Sequence, residues 1–386
     1  VEDLPKLLVE VYDKTLAYQG TVGVVSGDGA TWTQRHFDIG TGTFMVDSDL
    51  DVVTALAAPG ARVWVRYRYD PDDETQLMHV MSGPVSEAAG SGPGIAPTRT
   101  FTVTDDKDLV WNQMKCWPVP GSALTAQGGS TTFYSATGPV ETVIKGLVSA
   151  NKAHLPATAP PITVEANAAR GETISALMRF ESIADKLGTA LLYGHMGFRL
   201  RPNGSSLLFE AYQPKTLTVP LSQDSGEVAS GSWSLTRPTA SRAYVRGGAD
   251  TGAVLIERVN TAVEADHGYC GHTYVEVTET TDVPTLQAKG DEALNAAART
   301  VSLQVELAET ADWRVGIAFQ LGDEVPVQLS GAPILTDTVT EVEFKQDKDN
   351  GLVITPRIGD HSGPNEQLAK AVQKIAGYQR SQKARG

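Results

Sequence analysis

The sequence predicts a multi-domain α+β chain, mainly β, and three observations carry that prediction. The first is Arg62-Val63-Trp64-Val65-Arg66-Tyr67-Arg68-Tyr69, where apolar and charged side chains alternate with the period of two that a half-buried strand needs. The second is the stretch from Leu321 to Gly359. A Gly322-Asp323 turn introduces Val325-Pro326-Val327, and a strand from Asp337 to Phe344 follows. Lys345 to Gly351 then closes a hairpin, because Asp, Asn and Gly accept positive φ and bond their own backbone. Leu352 to Ile358 is the return strand. The third is size: 386 residues, 41% apolar, with 37 Gly and 21 Pro, exceed one simple core and imply roughly two to four turn-rich domains.

The opening third reads as strands: Thr31-Trp32-Thr33, Gly40 to Val46, Asp51 to Leu56, then Arg62 to Tyr69. Asp70 to Glu74 is a turn and Leu77 to Val85 its return strand. Ser86 to Pro97, rich in Ala, Gly, Ser and Pro, reads as a linker and first domain boundary. Helical spacing follows in Asp106–Lys115 and Pro139–Asn151, the latter with Val140, Val143, Ile144, Leu147 and Val148 on one face. A second helix is expected from Ser175 to Leu187, ended by Gly188. A hairpin is expected from Ala190 to Leu200, through the Arg201-Pro202-Asn203-Gly204 turn, to Leu207–Tyr212. Strands resume at Leu221, including Ser241–Gly247 and Val254–Val259, before an Ala-rich helix from Pro284 to Val301 and a strand to Leu307. Pro364 to Gly386 is basic and partly amphipathic, with Leu368, Val372 and Ile375 at helical spacing, and reads as a capping helix, or as a segment that docks on a partner or leads into a further domain.

The units expected are a β-rich domain over 1–97, an α/β insertion over 98–220, a β-rich region over 221–360 and a basic tail over 361–386. The last strands of the third unit either stay with it or return to the first.

Charge and cysteine usage narrow the function classes. A formal charge of −14 argues against binding nucleic acid by neutralising phosphates. Cys116 and Cys270 lie too far apart for a metal knuckle and too few for a disulfide framework. No run reaches the roughly 18 apolar residues of a membrane span, and Val1-Glu2-Asp3-Leu4 has neither the basic nor the apolar stretch of a signal peptide.

No catalytic constellation stands out. Phosphate-loop, dinucleotide, zincin and nucleophile-elbow patterns are absent. Asp47-Ser48-Asp49-Leu50-Asp51 resembles the start of a calcium loop, but Val52 and Ala58 stand where Gly and Glu belong. His267, Cys270 and His272 are three soft-metal ligands without a fourth. Ser149-Ala150-Asn151-Lys152 matches a Ser-x-x-Lys pattern without its companion motifs. Trp32, Trp64, Trp111, Trp117, Trp233 and Trp313 are dispersed, which suits core or interface anchors better than a sugar cleft. No catalytic, cofactor or metal residue is therefore assigned, no cofactor is expected, and the chain is not expected to be an enzyme.

An ordered series of short segments resembles the hub-like minor tail proteins of long-tailed phages that infect actinobacteria. It runs from Trp32…Gly42-Thr43-Phe44 and Gly60-Ala61-Arg62-Val63-Trp64-Val65 through Thr104-Asp105-Asp106…Trp111 and Trp117-Pro118-Val119-Pro120. It continues with Leu147 to Asn151, Arg170-Gly171, Ser232-Trp233-Ser234-Leu235, Ser241 to Gly248 and Leu321-Gly322-Asp323, closing at Ile358-Gly359. The resemblance implies a tail-tip or baseplate hub of small β-barrel-like domains with an α/β insertion, similar to the N-terminal hub part of tail-associated lysins. It further implies a homo-oligomer, a trimer, located at the tail tip of the virion. The implied partners are the distal tail protein, the tape measure protein and other tail-tip proteins, with DNA passing through unbound and no membrane insertion. The chain departs from lysin-bearing hubs in having only the basic tail after Gly359. The rival classes are a tail-borne cell-wall or polysaccharide hydrolase, a carbohydrate-binding adsorption module, and the hub of a related injection machine.

Overall fold

The computed structural model describes residues 7–22, 29–47, 51–69, 76–90, 98–129, 132–222, 224, 226–249, 251–297, 300–307, 313–329, 331, 333–347 and 351–359. The chain is mostly β, with several sheets. Its N-terminal part supplies β1 (Leu7–Tyr12), β2 (Tyr18–Val22), β3 (Ala30–Arg35), β4 (Thr41–Asp47), helix α1 (Val52–Leu56), β5 (Arg62–Arg68), β6 (Leu77–Gly90) and β7 (Thr98–Thr104). The middle supplies β8 (Tyr134–Pro139), α2 (Val140–Asn151), β9 (Ile162–Val164), β10 (Thr173–Met178), α3 (Ile183–Tyr193), β11 (Gly197–Asn203) and β12 (Ser206–Tyr212). Next come β13 (Leu221–Ser222), β14 (Val228–Thr236), β15 (Arg242–Gly247), β16 (Val254–Val259), α4 (Thr261–His267), β17 (His272–Val277) and α5 (Val283–Ala296). The chain closes with β18 (Thr300–Leu307), β19 (Glu324–Gln328), β20 (Leu335–Asp347) and β21 (Gly351–Ile358).

One large sheet forms the frame, in the order β14-β18-β21-β20-β3-β4-β7-β6-β5-β1-β2, with β19 and β13 attached through β20. The two ends of the chain meet in it: β20 pairs antiparallel with β3, Phe344 opposite Trp32 and Glu341 opposite Arg35. Alternation dictates the layering. Trp32, Phe44, Phe101, Val103, Phe344 and Ile354 fall on one side and build a contiguous core. Trp32 stacks on Phe44 at 5.2 Å, and Phe44 lies 5.7 Å from Phe101. Gly42 is glycine because a Cβ there would fall inside the Trp32 ring.

The middle of the chain builds a second core. Val143, Ile144, Leu147 and Val148 of α2 pack with Ile174, Met178, Leu187, Phe198 and Phe209. Beyond it, β15 is flanked by β16 (antiparallel) and β17 (parallel), and α5 covers one face of this sheet. Asp282 caps α5 by accepting from the Thr285 N–H at 3.0 Å, and Pro284 sits in its first turn. Gly290 lets α5 approach the sheet, since a Cβ would meet Val245 at 3.0 Å.

Several expectations need correction. Asp51 to Leu56 is not a strand; Val52–Leu56 is one helical turn burying Val53 and Leu56, a spacing of three. Ser86 to Gly90 is not a linker but the end of β6, paired with β7 past a bulge at Val85/Glu87; 91–97 lie outside the described residues. The helix expected over Ser175–Leu187 is a strand followed by a helix. Five consecutive buried residues, Ile174 to Met178, erase the period of two because β10 packs on α2 on one side and α5 on the other. The helix starts after Ser182, whose Oγ accepts from the Asp185 N–H, and runs through Gly188. Consequently Ala190 to Tyr193 is helix, and the hairpin turns at Gly204 and Ser205, between paired Asn203 and Ser206. The Asp70–Glu74 turn, Lys348 to Asn350 and the basic tail lie outside the described residues.

Candidate functional surfaces

The outward side of the frame is unusually uniform. Cross-strand register aligns Thr31 and Thr33 of β3 with Thr43 and Thr41 of β4, and these with Thr102 and Thr104 of β7. Thr100 lies opposite Met45, and Thr355 of β21 opposite Glu343. This alternation of Thr with buried aromatics is visible in Thr31-Trp32-Thr33, Thr41-Gly42-Thr43 and Thr98-Arg99-Thr100-Phe101-Thr102-Val103-Thr104, a signal that sequence reasoning missed. The charges on this side include Asp47 opposite Thr98, Glu87 opposite Thr102 and the exposed Lys345 opposite Thr31, besides a set of ion pairs. Arg35 Nε donates to Glu341 at 2.8 Å. Arg357 is ion-paired with Glu341, with Glu306 at 3.5 Å and with Glu343 at 3.9 Å. Both arginines are thus held by carboxylates. Such a surface is rich in hydroxyls and carboxylates, with Lys345 its exposed cation among the described residues.

The α/β middle joins the frame through apolar contact, with Leu16, Phe37 and Ile39 against its core, and through buried polar groups. Asp106, 2% exposed, accepts from Arg62 of β5 and from Ser82 Oγ of β6 at 2.7 Å. Lys107 Nζ donates to the carbonyls of Arg35 at 2.6 Å and His36 at 3.1 Å. His36 Nδ1 lies 2.9 Å from the Tyr212 hydroxyl of β12. Burial, and then the charge of Lys107, push His36 down to about 3, so its imidazole is neutral. Burial raises the Asp105 carboxyl and lowers the Lys107 ammonium, each opposed by the other's charge. A cavity of about 60 Å³ opens between Lys107, His79, Arg199 and Tyr212. That is far below the ~300 Å³ of small-molecule sites, so it suits a water-sized occupant.

The motifs singled out in the sequence do not converge with one another. Asp47 ends β4 and Asp51 precedes α1, with 48–50 outside the described residues. His272 Nδ1 is 2.6 Å from the Tyr269 hydroxyl, while Cys270 Sγ donates to the Gly268 carbonyl at 3.3 Å. Lys152 Nζ donates to the Ile162 carbonyl at 3.2 Å, and Ser149 is exposed. Among the described residues, no group of three His, Cys, Asp or Glu is placed to hold a metal. Of the tryptophans, Trp32 and Trp111 are buried, Trp117 stacks on His154 at 3.7 Å, Trp313 stacks on Phe319 at 4.6 Å and Arg66 lies 4.6 Å over Trp64.

A second surface emerges on the side of the β16-β15-β17 sheet away from α5. Register places Val259, Arg242 and His272 in one row, Glu257, Tyr244 and Tyr274 in the next, and Leu255, Arg246 and Glu276 in the third. Tyr244 stacks on His272 at 4.9 Å, and Tyr269 meets His272 edge-on. Arg242 pairs with Glu257 and Glu264, and Arg246 with Glu276. Sequence reasoning searched tryptophan for an aromatic cluster; the cluster is of tyrosine.

The frame with its insertion defines the class. It is a phage-tail-protein fold, shared with prophage tail protein gp18 from Listeria monocytogenes EGD-e (TM-score 0.58, 8% identity, 96% of this chain and 99% of that one). The 43 kDa tail protein of prophage MuSo2 from Shewanella oneidensis is similar at TM-score 0.53 and 12% identity, over 92% of this chain and 97% of that one. A tail protein from Neisseria meningitidis MC58 is similar at TM-score 0.51 and 12% identity, with the same coverage. Comparison with curated proteins gives no match. The chain belongs to the family described as Siphovirus ReqiPepy6 Gp37-like protein, matched by residues 8–360. The resemblance to siphophage tail proteins seen in the sequence is thereby borne out.

Proposed function

We propose that this tail protein is a structural subunit of the tail-tip hub, non-enzymatic, assembling as a trimer around the path of the exiting genome. In this reading it contacts the distal tail protein, the tape measure protein and other tail-tip proteins. The observation that carries it is the threonine side of the frame. A wall lining a DNA path must offer little to phosphate, and this one offers mostly hydroxyls and carboxylates, with its two arginines already bound to glutamates and Lys345 as its exposed cation among the described residues. The units are the frame from the two chain ends, an α/β insertion within 98–220, the β15–α5 module, and the tail over 361–386. The test is absolute mass by light scattering over a dilution series, with negative-stain images. A trimeric ring with a central hole is expected; a compact monomer at every concentration would overturn the reading.

One observation favours a second reading, adsorption to host polysaccharide. The three tyrosines beside Arg242, Arg246 and Glu276 offer ring faces and hydrogen-bonding groups on one open sheet face. Cell-wall polysaccharide pull-down that is lost on Tyr244→Ala with Tyr274→Ala would support it, and equal retention of parent and variant would remove it.

A further inference from the structure

The frame sheet ends in two strands, β2 and β14, each paired on one side only among the described residues. An unpaired edge is a template for another strand, and soluble proteins usually blunt it with charge, proline or brevity. β14 is blunted by little: its nine residues, Val228-Ala229-Ser230-Gly231-Ser232-Trp233-Ser234-Leu235-Thr236, contain no charge and no proline, and its one irregularity lies at its start, between Val228 and Ser230. Ala229 to Ser234 are exposed without a break.

Trp233 makes this more than an open edge. Ser230, Ser232 and Ser234 belong to the polar side of the sheet. Trp233 lies opposite Leu303, and Gly231 opposite Val305, and both partners are fully buried. Trp233 therefore sits on the core side, yet it is 40% exposed. The apolar layer of the frame runs past its last strand, leaving a core-side indole uncovered. At the other end, Tyr18-Gln19-Gly20-Thr21-Val22 of β2 is also uncharged, and Tyr18 is 57% exposed.

We infer that β14 of one copy pairs with β2 of a second copy, continuing the frame sheet from subunit to subunit and covering Trp233. The two edges differ, so the contact is heterologous and closes into a ring when the rotation allows. The inference rests on the ring reading and names its contact. The backbone groups of β14 supply the affinity and Trp233 supplies the buried anchor.

The test is cysteine cross-linking of the full chain in a Cys270→Ser background, since Cys116 is buried. Ser232→Cys together with Gln19→Cys is expected to give covalent multimers on mild oxidation, whereas either substitution alone gives none. Trp233→Lys is expected to reduce the mass from multimer to monomer without changing far-UV dichroism. Cross-linking by Ser232→Cys alone would mean that β14 pairs with itself, and would overturn the inference. Multimers that neither cross-link nor respond to Trp233→Lys would overturn it while leaving the ring intact. A parent chain that is monomeric at every concentration would overturn both.

Discussion

The frame and the insertion are held by opposite means. The frame is closed by aromatic packing, with Trp32, Phe44, Phe101 and Phe344 fully buried across β3, β4, β7 and β20. The insertion has its own apolar core, which Leu16, Phe37 and Ile39 of the frame segments join, and buried charge is added to its attachments. Glu141 of α2 receives Lys145 at 2.7 Å and Arg170 Nε at 2.8 Å, and Lys145 also reaches Glu165 at 3.0 Å, so the 165–170 segment is strapped to the helix. The seam to the frame runs through Asp106, Lys107, His36 and Tyr212. Apolar burial is indifferent to pH, whereas buried charges and a buried neutral histidine are not. The difference teaches that one chain can combine a scaffold held mainly by apolar packing with a part in which buried charge makes a larger share of the contacts.

The sharpest way to break this contrast is Trp32→Ala. Emptying the centre of the frame is expected to cost about 3–5 kcal/mol, read as a lower denaturant midpoint. Hydrogen exchange should rise first in β3, β4 and β20; equal loss in α2 would mean that the two regions do not differ. Glu141→Gln comes next. It removes the carboxylate shared by Arg170 and Lys145, the latter 3% exposed and left with Glu165 as its remaining carboxylate, at an expected cost of about 3 kcal/mol, with exchange rising in α2 and 165–170 and little change in the frame. The ligands of Glu141, Arg170 first, hold its carboxyl well below the ordinary 4.5. That stabilisation is complete above the ordinary range and is lost as pH falls through the lowered value.

His36 tests the seam itself. Its pKa is about 3 folded against 6.5 free, so the unfolded chain binds the extra proton between those values. Stability should therefore be full above pH 6.5 and fall as pH drops towards 3, with a slope of up to about 1.4 kcal/mol per pH unit from this group. His36→Gln should reduce that slope in pH-dependent urea melts, with His79, which burial also pushes down to about 3, supplying part of what remains; an unchanged slope would place the acid sensitivity elsewhere. The smallest effect expected is from Glu276→Gln. Its pair with Arg246 at 2.6 Å is half exposed, and its loss should shift stability by less than ~1 kcal/mol.

Much of the frame is legible in the sequence because its strands have one wet side and one dry side. Arg62–Arg68, Thr41–Asp47 and Gly351–Ile358 keep the alternation, and sequence and structure agree there. Legibility fails where that contrast vanishes. Ile174–Met178 is dry on both sides, and Ser86–Gly90 is made mostly of small residues exposed at the end of a strand. The candidate surfaces are less legible. The threonine side is written in the alternation itself, but a search for catalytic residue types passes over hydroxyls that do no chemistry. The tyrosine surface gathers residues from three strands, and only the register of β15 against β16 and β17 brings Tyr244 and Tyr274 side by side.

The pairing of β3 with β20 also governs when the molecule can become itself. Arg35 and Glu341 are 306 positions apart, so a ribosome must release nearly the whole described chain before the frame can close. Contacts of such separation form late. Until then β3 waits with one edge unpaired, while α2 and β8 to β12 can already have packed their own core. The order of synthesis thus makes the insertion the first finished part and the scaffold that carries it the last.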